Sequence, residues 1–430
     1  MRVLFATLPH STHWYPLVPL AWALRTAGHE VRVASEPELV DVITGTGLTA
    51  VPVGRRNWAD DDPAGRALLD AIHDEAFAHL CAFDFAGRDP AQWTWERLLC
   101  LEHVTVPGHS AVLGNDSVLD ELVAFARAWR PDLVVWETYT VAGAVAATVV
   151  GAAHARMIAG PDVTMRVRRE FLRQTGKRPV EHRFDPTAEW LGWTLERLGC
   201  AEPFTEELVT GQWTIDSTPA STRLDADRST VPMRYVPFNG PSVLPHWLRT
   251  PAARPRICLT FGVSEWVAQW LTDERLADLL GALAELDVEV VVTGVADRAE
   301  RLRTGAPNVR LVGFVPLNDL LPTCAAVVHH GGVGTKATAE LHGVPQVILS
   351  FGADTTLMGE QVERLGAGLW QPIADVTPAS LRQRVARVVG EESFAAGARR
   401  LRDELLAAPS PNEVVPVLEK LTAERRGRPR

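Results

Sequence analysis

Residues 327–351 read VVHHGGVGTKATAELHGVPQVILSF. An apolar run ends in His329 and His330, three closely spaced glycines follow, and a helical stretch runs to Gly343 before a second apolar run begins. Strand, turn, helix, strand is the repeating unit of a parallel sheet, and a glycine just past the last periodic residue is the expected helix stop. Glycines in the turn let backbone N–H groups approach a ligand closely. The first helical turn adds unpaired N–H groups at the positive end of the helix dipole. The stretch therefore suits an anion, a phosphate or a carboxylate, against the simpler alternative of a tight turn that holds nothing.

The same alternation runs through the chain. VLFAT, EVRVAS, LTAVPVG, PDLVVWE and HARMIA read as strands of a first half, with PLVPLAWALRTAG, PELVDVITGTG, SVLDELVAFARAW and VAGAVAATVVG as helices between them. Residues 55–115, rich in Trp, Asp and Pro, resist assignment. From RICLTF the pattern restarts, through VEVVVTG, NVRLVGF, AAVVHH and VPQVILSF. Between the halves, Pro232, Pro237, Pro241, Pro245, Pro251 and Pro255 break every regular period. The expectation is an α/β protein of two doubly wound, Rossmann-like domains facing across a cleft: residues 1–216, a linker over 217–255, and residues 256–408. Residues 409–430 form a C-terminal helix and tail, with packing back onto the first domain left open. Ligands of such sheets sit outside the carboxyl ends of the strands, where the glycine turn lies.

Composition narrows the classes. A chain of 430 residues exceeds one ordinary core, and 43 basic against 53 acidic residues, net −10, argue against a nucleic-acid partner. The five cysteines, Cys81, Cys100, Cys200, Cys258 and Cys324, have no metal or redox spacing and fit reduced thiols in the cytoplasm. No membrane span is expected, because VAGAVAATVVGAAHARMIAG is broken by glycines and carries His154 and Arg156. The basic close, Arg425 to Arg430, reads as a solvated tail.

A diphosphate uses every part of the turn. Backbone amides at Gly332 and Gly334 and the Thr335 hydroxyl would hold phosphate oxygens, and His330 would add a hydrogen bond or a positive charge. His329, on the opposite face, reads as structural. The loop after RICLTF would supply Ser264. No P-loop is present, which disfavours an ATPase or GTPase. The rival is a Rossmann-type, NAD-dependent oxidoreductase. Gly332-Val-Gly334-Thr-Lys-Ala337 fits G-x-G-x-x-A, and Asp354 stands near the separation of a ribose-binding acid. Against it, that fingerprint usually follows the first strand of its domain and does not need His-His. For general-base chemistry the residues alone leave His10 and His13 as candidates.

HHGGVGTKATAELHGVPQ together with the opening H-x-x-P-L-x-x-x-A resembles the GT-B nucleotide-sugar glycosyltransferases. Within them it most resembles the actinomycete transferases that place deoxysugars on macrolide and aromatic polyketides. MRVLFA, PLVPLAWALRTAGHEVRVAS, LTAVPVG, PDLVVWE, GQWTID and MRYVPFNGPSV carry the likeness over essentially the whole chain. The resemblance implies inverting transfer from a dTDP-deoxysugar, bound by the second domain, to a hydroxyl of a polyketide acceptor bound by the first. It implies His13 as base with Glu137 supporting it. Ser264, His330, Gly332, Gly334 and Thr335 would bind the diphosphate, Phe314 and Val315 the nucleobase, and Asp354 and Thr355 the sugar. Many relatives have Gln after the acid where this chain has Thr355, which suits a sugar with fewer hydroxyls.

Trp14, Tyr15 and Trp136, with Trp58, Trp93, Trp95 and Tyr139, are expected to line an apolar acceptor pocket. No cofactor and no metal are expected, and Asp225-Ala-Asp227 reads as an exposed turn rather than a metal motif. The resemblance further implies a cytochrome-like auxiliary protein, without haem chemistry, as activating partner, and leaves a homodimer open. A nucleotide-sugar binding protein without catalysis is the third class weighed, and the presence of both His13 and Glu137 argues against it.

Overall fold

The computed structural model describes all residues save 55–62, 225–228, 263–270, 299, 303–304 and 427–430. Ser264, Trp58, Asp225-Ala-Asp227 and the end of the basic tail lie outside the described residues. The chain divides into two compact units. One comprises Met1–Thr218, Arg223–Arg234 and Pro409–Arg430, the other Pro219–Thr222 and Tyr235–Ala408.

The first unit is built on seven strands: β1 (Arg2–Ala6), β2 (Glu30–Ser35), β3 (Ala50–Pro52), β4 (Leu133–Glu137), β5 (Ala153–Ile158), β6 (Trp213–Asp216) and β7 (Thr230–Pro232). All pair in parallel, in the order β3-β2-β1-β4-β5-β6-β7. The second has six: β8 (Arg256–Thr260), β9 (Glu289–Val292), β10 (Val309–Leu311), β11 (Cys324–His329), β12 (Gln346–Ser350) and β13 (Gly368–Pro372). These are again all parallel, in the order β10-β9-β8-β11-β12-β13. Each order reverses once, between β1 and β4 and between β8 and β11. Those reversals are the positions where doubly wound sheets bind ligands.

Burial follows from the layering. Every residue of β4, β5, β8 and β12 is buried, as helices covering both faces require, which is why these strands read as unbroken apolar runs rather than alternating ones. Helix Asp116–Trp129 buries Val118, Leu119, Leu122, Val123 and Ala126 at helical spacing. Asn115 starts it by accepting from the amides of Ser117 and Val118 at 3.1 and 3.2 Å. Helix Ala142–Val150 lies so close to the sheet that a Cβ on Gly143 would stand 2.7 Å from Cβ of Trp136 and 3.0 Å from that of Ala6. The last helix, Pro411–Arg426, buries Val414, Val415 and Leu418 in the first unit and pairs Glu419 with His29 Nε2 at 3.0 Å.

Two stretches differ from their sequence reading. The segment that resisted assignment holds helices Pro63–Ala82 and Trp95–Thr105 and a π-helical turn, Val106–Ser110. Its apolar residues are spread around the helix, with Leu68 62% and Ile72 42% exposed, so no clean stripe marks it. The proline-rich stretch contains β7, whose Pro232 sits at the outer edge of the sheet where a missing N–H is tolerated. Among the described residues no helix is long and apolar enough to cross a membrane.

Candidate functional site

In the first unit the chain leaves β1 and turns at once into the short helix Ser11–Trp14, which presents His13 at the carboxyl edge of the sheet. Glu137, the last residue of the neighbouring β4, is 3% exposed. The structure brings the two together, with His13 Nδ1 3.1 Å from Glu137 Oε2. The other carboxylate oxygen accepts a hydrogen bond from the Thr140 hydroxyl at 2.5 Å. A carboxylate can only accept, so Nδ1 carries the proton and Nε2 presents a lone pair. Burial opposes charge on the His13 ring. The charge of Glu137 and its hydrogen bond outweigh burial and hold the pKa above the ordinary 6.5. The pair is an imidazole held in one tautomer, with a lone pair that can accept a proton and a carboxylate placed to stabilise the imidazolium that would form. His10 is exposed, its ring 5.9 Å from that of His13.

Two of the residues expected to line an acceptor pocket are core. Trp136 is 0% exposed and donates Nε1–H to His154 Nδ1 at 3.4 Å. Trp14 is 0% exposed and packs edge-on against Phe5 at 6.0 Å. The reason is position. Trp136 lies within an interior strand covered on both faces, and Trp14 faces inward from its single helical turn. Tyr15 is half-buried, and Tyr139 holds its ring 5.9 Å from that of His13.

In the second unit the glycine turn joins β11 to helix Val333–His342. His329 shapes it: Nδ1 accepts from the Gly331 amide at 3.1 Å, and Nε2 is 2.9 Å from Gln346 Oε1. The Gly331 backbone is left-handed (φ +96°), and a Cβ there would lie 2.9 Å from Cβ of Thr355. A Cβ on Gly332 would lie 2.7 Å from His330 Nε2, so Gly332 leaves room for the imidazole above it. Gly334 is different: its Cβ would meet only the Tyr235 hydroxyl, at an ordinary 3.5 Å.

The first amides of helix Val333–His342 have no partner within the helix, no side chain among the described residues caps it, and Thr335 stands in that turn. His330 is 7% exposed with Nδ1 unpaired, and burial pushes its pKa down to about 4. Of the two roles expected for it, the hydrogen bond is the one a neutral ring makes. One helical turn on, Lys336 Nζ pairs with Glu340 Oε1 at 2.6 Å, out of contact with solvent.

Asp354 opens helix Ala353–Arg364, entered through Gly352 (φ +109°) and Ala353 in the left-handed region (φ +50°). A non-glycine residue held there is strained, and such strain clusters at functional sites. Burial pushes the Asp354 carboxyl up to about 6, against the local amides and Lys336. Thr355 is a correction to the expected sugar contacts. It is 4% exposed, its hydroxyl donates to Gly352 O at 2.6 Å and accepts from the Phe351 amide at 3.2 Å, so it ties the turn. Phe314 is 64% exposed and free to take a planar ring on its face. Val315, at 4%, belongs to the core, so its side chain offers nothing to a base.

Sequence reading missed Thr140, for which the Glu-x-x-Thr spacing after a strand is the only local signal, and Tyr235, which has none. Among the described residues no three His, Cys, Asp or Glu side chains gather as a metal site. The dinucleotide fingerprint fails on topology, since the glycine turn follows β11, the fourth strand pairwise wound into its sheet, rather than β8.

Residues 22–262 match the model of the erythromycin biosynthesis protein CIII-like N-terminal domain, and residues 277–421 that of its C-terminal domain. The chain is 47% identical over 428 residues to the 3-alpha-mycarosylerythronolide B desosaminyl transferase of Saccharopolyspora erythraea, covering 99% of each. It is 48% identical over 429 residues to the 10-deoxymethynolide desosaminyltransferase of Streptomyces venezuelae, covering 100% of this chain and 99% of the relative. The crystal structure of the glycosyltransferase VinC in complex with dTDP matches with a TM-score of 0.87 at 39% identity, over 99% of this chain and 100% of that one, and the fold is GT-B.

Proposed function

Because the chain belongs to the erythromycin biosynthesis protein CIII-like glycosyltransferases, we propose that it moves a deoxysugar from a dTDP-deoxysugar to a hydroxyl of a polyketide aglycone, with inversion. The observation that carries the chemistry is the His13–Glu137–Thr140 chain at the reversal of the first sheet. In a single displacement the acceptor oxygen bonds to the anomeric carbon as the bond to the diphosphate breaks. His13 Nε2 takes the hydroxyl proton, the imidazolium is held by Glu137, and dTDP leaves with the electron pair. A base so placed contributes about 10²–10⁴-fold.

The second unit receives the leaving group. The amide of Gly332, just before the helix, that of Gly334 in its first turn, the Thr335 hydroxyl, a hydrogen bond from His330 and Ser264 would hold the diphosphate, and Phe314 would carry the thymine ring. Asp354, the carboxyl in the strained turn, would accept from sugar hydroxyls. An uncapped helix start and neutral donors stabilise the diphosphate without a metal ion, so turnover in excess chelator should stay within about twofold of that without it. An activating auxiliary protein is supported only by the family likeness, and turnover of the purified chain alone at its full rate would remove it. A homodimer is tested by mass in solution.

The test of the reading combines binding and turnover. dTDP at about a hundred times its dissociation constant should stabilise the protein by roughly 2.7 kcal/mol. His13→Ala should keep that stabilisation while losing transfer. Loss of both together would show that His13 is not the base, and stabilisation without turnover in the native chain would indicate a binding protein.

A further inference from the structure

The π-helical turn Val106–Ser110 places a second histidine beside the base. His109 lies edge-on to Tyr139, ring centroids 5.7 Å apart, and Tyr139 in turn lies edge-on to His13 at 5.9 Å. On its other side His109 stacks on His73, 4.9 Å away with planes 19° apart, and Phe77 stands 6.1 Å off. The stack is held rigidly. A Cβ on Gly108 would lie 2.7 Å from Cβ of Ala76 and 3.2 Å from Ile72 O, so helix Pro63–Ala82 and the π turn approach more closely than any other residue allows. His73 Nδ1 is 3.2 Å from Gly108 O, and a carbonyl fixes it as the donor. π turns recur at functional sites because the widened backbone re-aims a side chain.

Among the described residues nothing hydrogen-bonds to the ring nitrogens of His109. Its Nδ1 is buried without a partner, and the half-buried ring leaves Nε2 as the nitrogen available to a ligand. An unpaired buried N–H is rarer and costlier than an unpaired lone pair, so the proton belongs on Nε2. Burial and the neighbouring His73 keep the ring neutral, its pKa down to about 4. The same helix exposes Leu68 and Ile72, an apolar surface of the kind a polyketide ring covers.

Resting on the reading of His13 as the base, we infer that His109 is an acceptor-positioning residue, donating Nε2–H to a second carbonyl or hydroxyl oxygen of the polyketide while the reacting hydroxyl meets His13. Polyketides carry oxygen on alternate carbons, so a second oxygen lies within a few bonds of the first. The assignment also replaces Trp14 and Trp136, which are core, with a residue whose polar atoms are free to bind.

His109→Phe keeps the stack and removes both nitrogens. In transfer from dTDP-desosamine to a panel of macrolactone and anthracycline aglycones that includes 10-deoxymethynolide, it should lower kcat/KM for the acceptor by about 10–100-fold. The donor KM should stay within about twofold, and His109→Gln, which keeps an N–H donor, should recover most of the loss. Acceptor kcat/KM equal to that of the native chain, or donor and acceptor KM rising alike, overturns the inference. If His109→Phe does not fold, His109→Gln set against His109→Leu decides, and equal acceptor losses in the two overturn it. A native chain that binds dTDP yet transfers to no aglycone of the panel overturns the transferase reading, and this inference with it.

Discussion

Replacing Glu137 with Gln tests the base directly, because the surrounding bonds dictate how the new amide must sit. Oε1 of Glu137 accepts from the Thr140 hydroxyl at 2.5 Å, and Oε2 faces His13 Nδ1 at 3.1 Å. If the amide oxygen keeps the Thr140 bond, the NH2 group faces Nδ1. Nδ1 must then accept, the ring proton moves to Nε2, and the base has lost its lone pair. The charge that stabilises the imidazolium is lost as well, worth about 4 kcal/mol at ~4 Å in an effective dielectric of ~20. The 30% exposure of the His13 side chain screens part of that. Both effects lower kcat, by about 10²–10⁴-fold together.

The assay is glycosylated aglycone formed under saturating donor, with dTDP binding followed by thermal shift as the control. Binding should be unchanged. Because Glu137 holds the His13 pKa above 6.5, the acid limb of kcat/KM lies above that pH in the native chain and moves to lower pH in Glu137→Gln. Adding Thr140→Val to Glu137→Gln frees the amide to turn its oxygen toward Nδ1–H and should restore part of the rate. Glu137→Gln turning over within about threefold of the native chain would refute the reasoning, since even one transition-state hydrogen bond to a charged group is worth more.

The glycine turn separates packing from ligand approach. Gly332→Ala sets a Cβ 2.7 Å from His330 Nε2 and should both lower the melting temperature and weaken dTDP tenfold or more, about 1.4 kcal/mol. Gly334→Ala meets only the Tyr235 hydroxyl at 3.5 Å and should leave the fold intact while weakening dTDP, and unchanged dTDP affinity would show that no ligand comes close there. A third prediction concerns acid. His154 and His329 are buried and neutral, with pKa values lowered to about 3, and His330 to about 4, all below the unfolded 6.5. Below 6.5 the unfolded chain binds protons that the native one does not, so these groups stabilise fully above 6.5 and lose that contribution as pH falls toward 4 and 3. Denaturant unfolding should show stability dropping by a few kcal/mol across that window, and a flat profile would contradict neutral burial.

The parallel sheets were legible because their signal is local. A buried parallel strand needs an unbroken apolar run, a crossover helix needs a 3.6 period, and both are written within a dozen residues. The glycine turn was legible for the same reason, though part of its meaning was not. That Gly331 and Gly332 make room for Thr355 and His330 depends on where those side chains fold. Trp14 and Trp136 show the opposite limit. A tryptophan has the same letter in a pocket and in a core; the covering of both sheet faces put Trp136 inside, and the direction of its helical turn put Trp14 there.

By itself the sequence determined two doubly wound halves, a glycine turn late in the second of a kind that suits an anion, and candidate bases just after the first strand. Tertiary structure alone decided which histidine meets a carboxylate. His13 and Glu137 are 124 residues apart and meet because β1 and β4 are neighbours where the strand order reverses. It also decided the protonation of the histidines. His13 is drawn up by a carboxylate, whereas His109, His329 and His330 are pushed down by burial. Charge state depends on the solvent and the partners around a group, and those are assembled from distant parts of the chain.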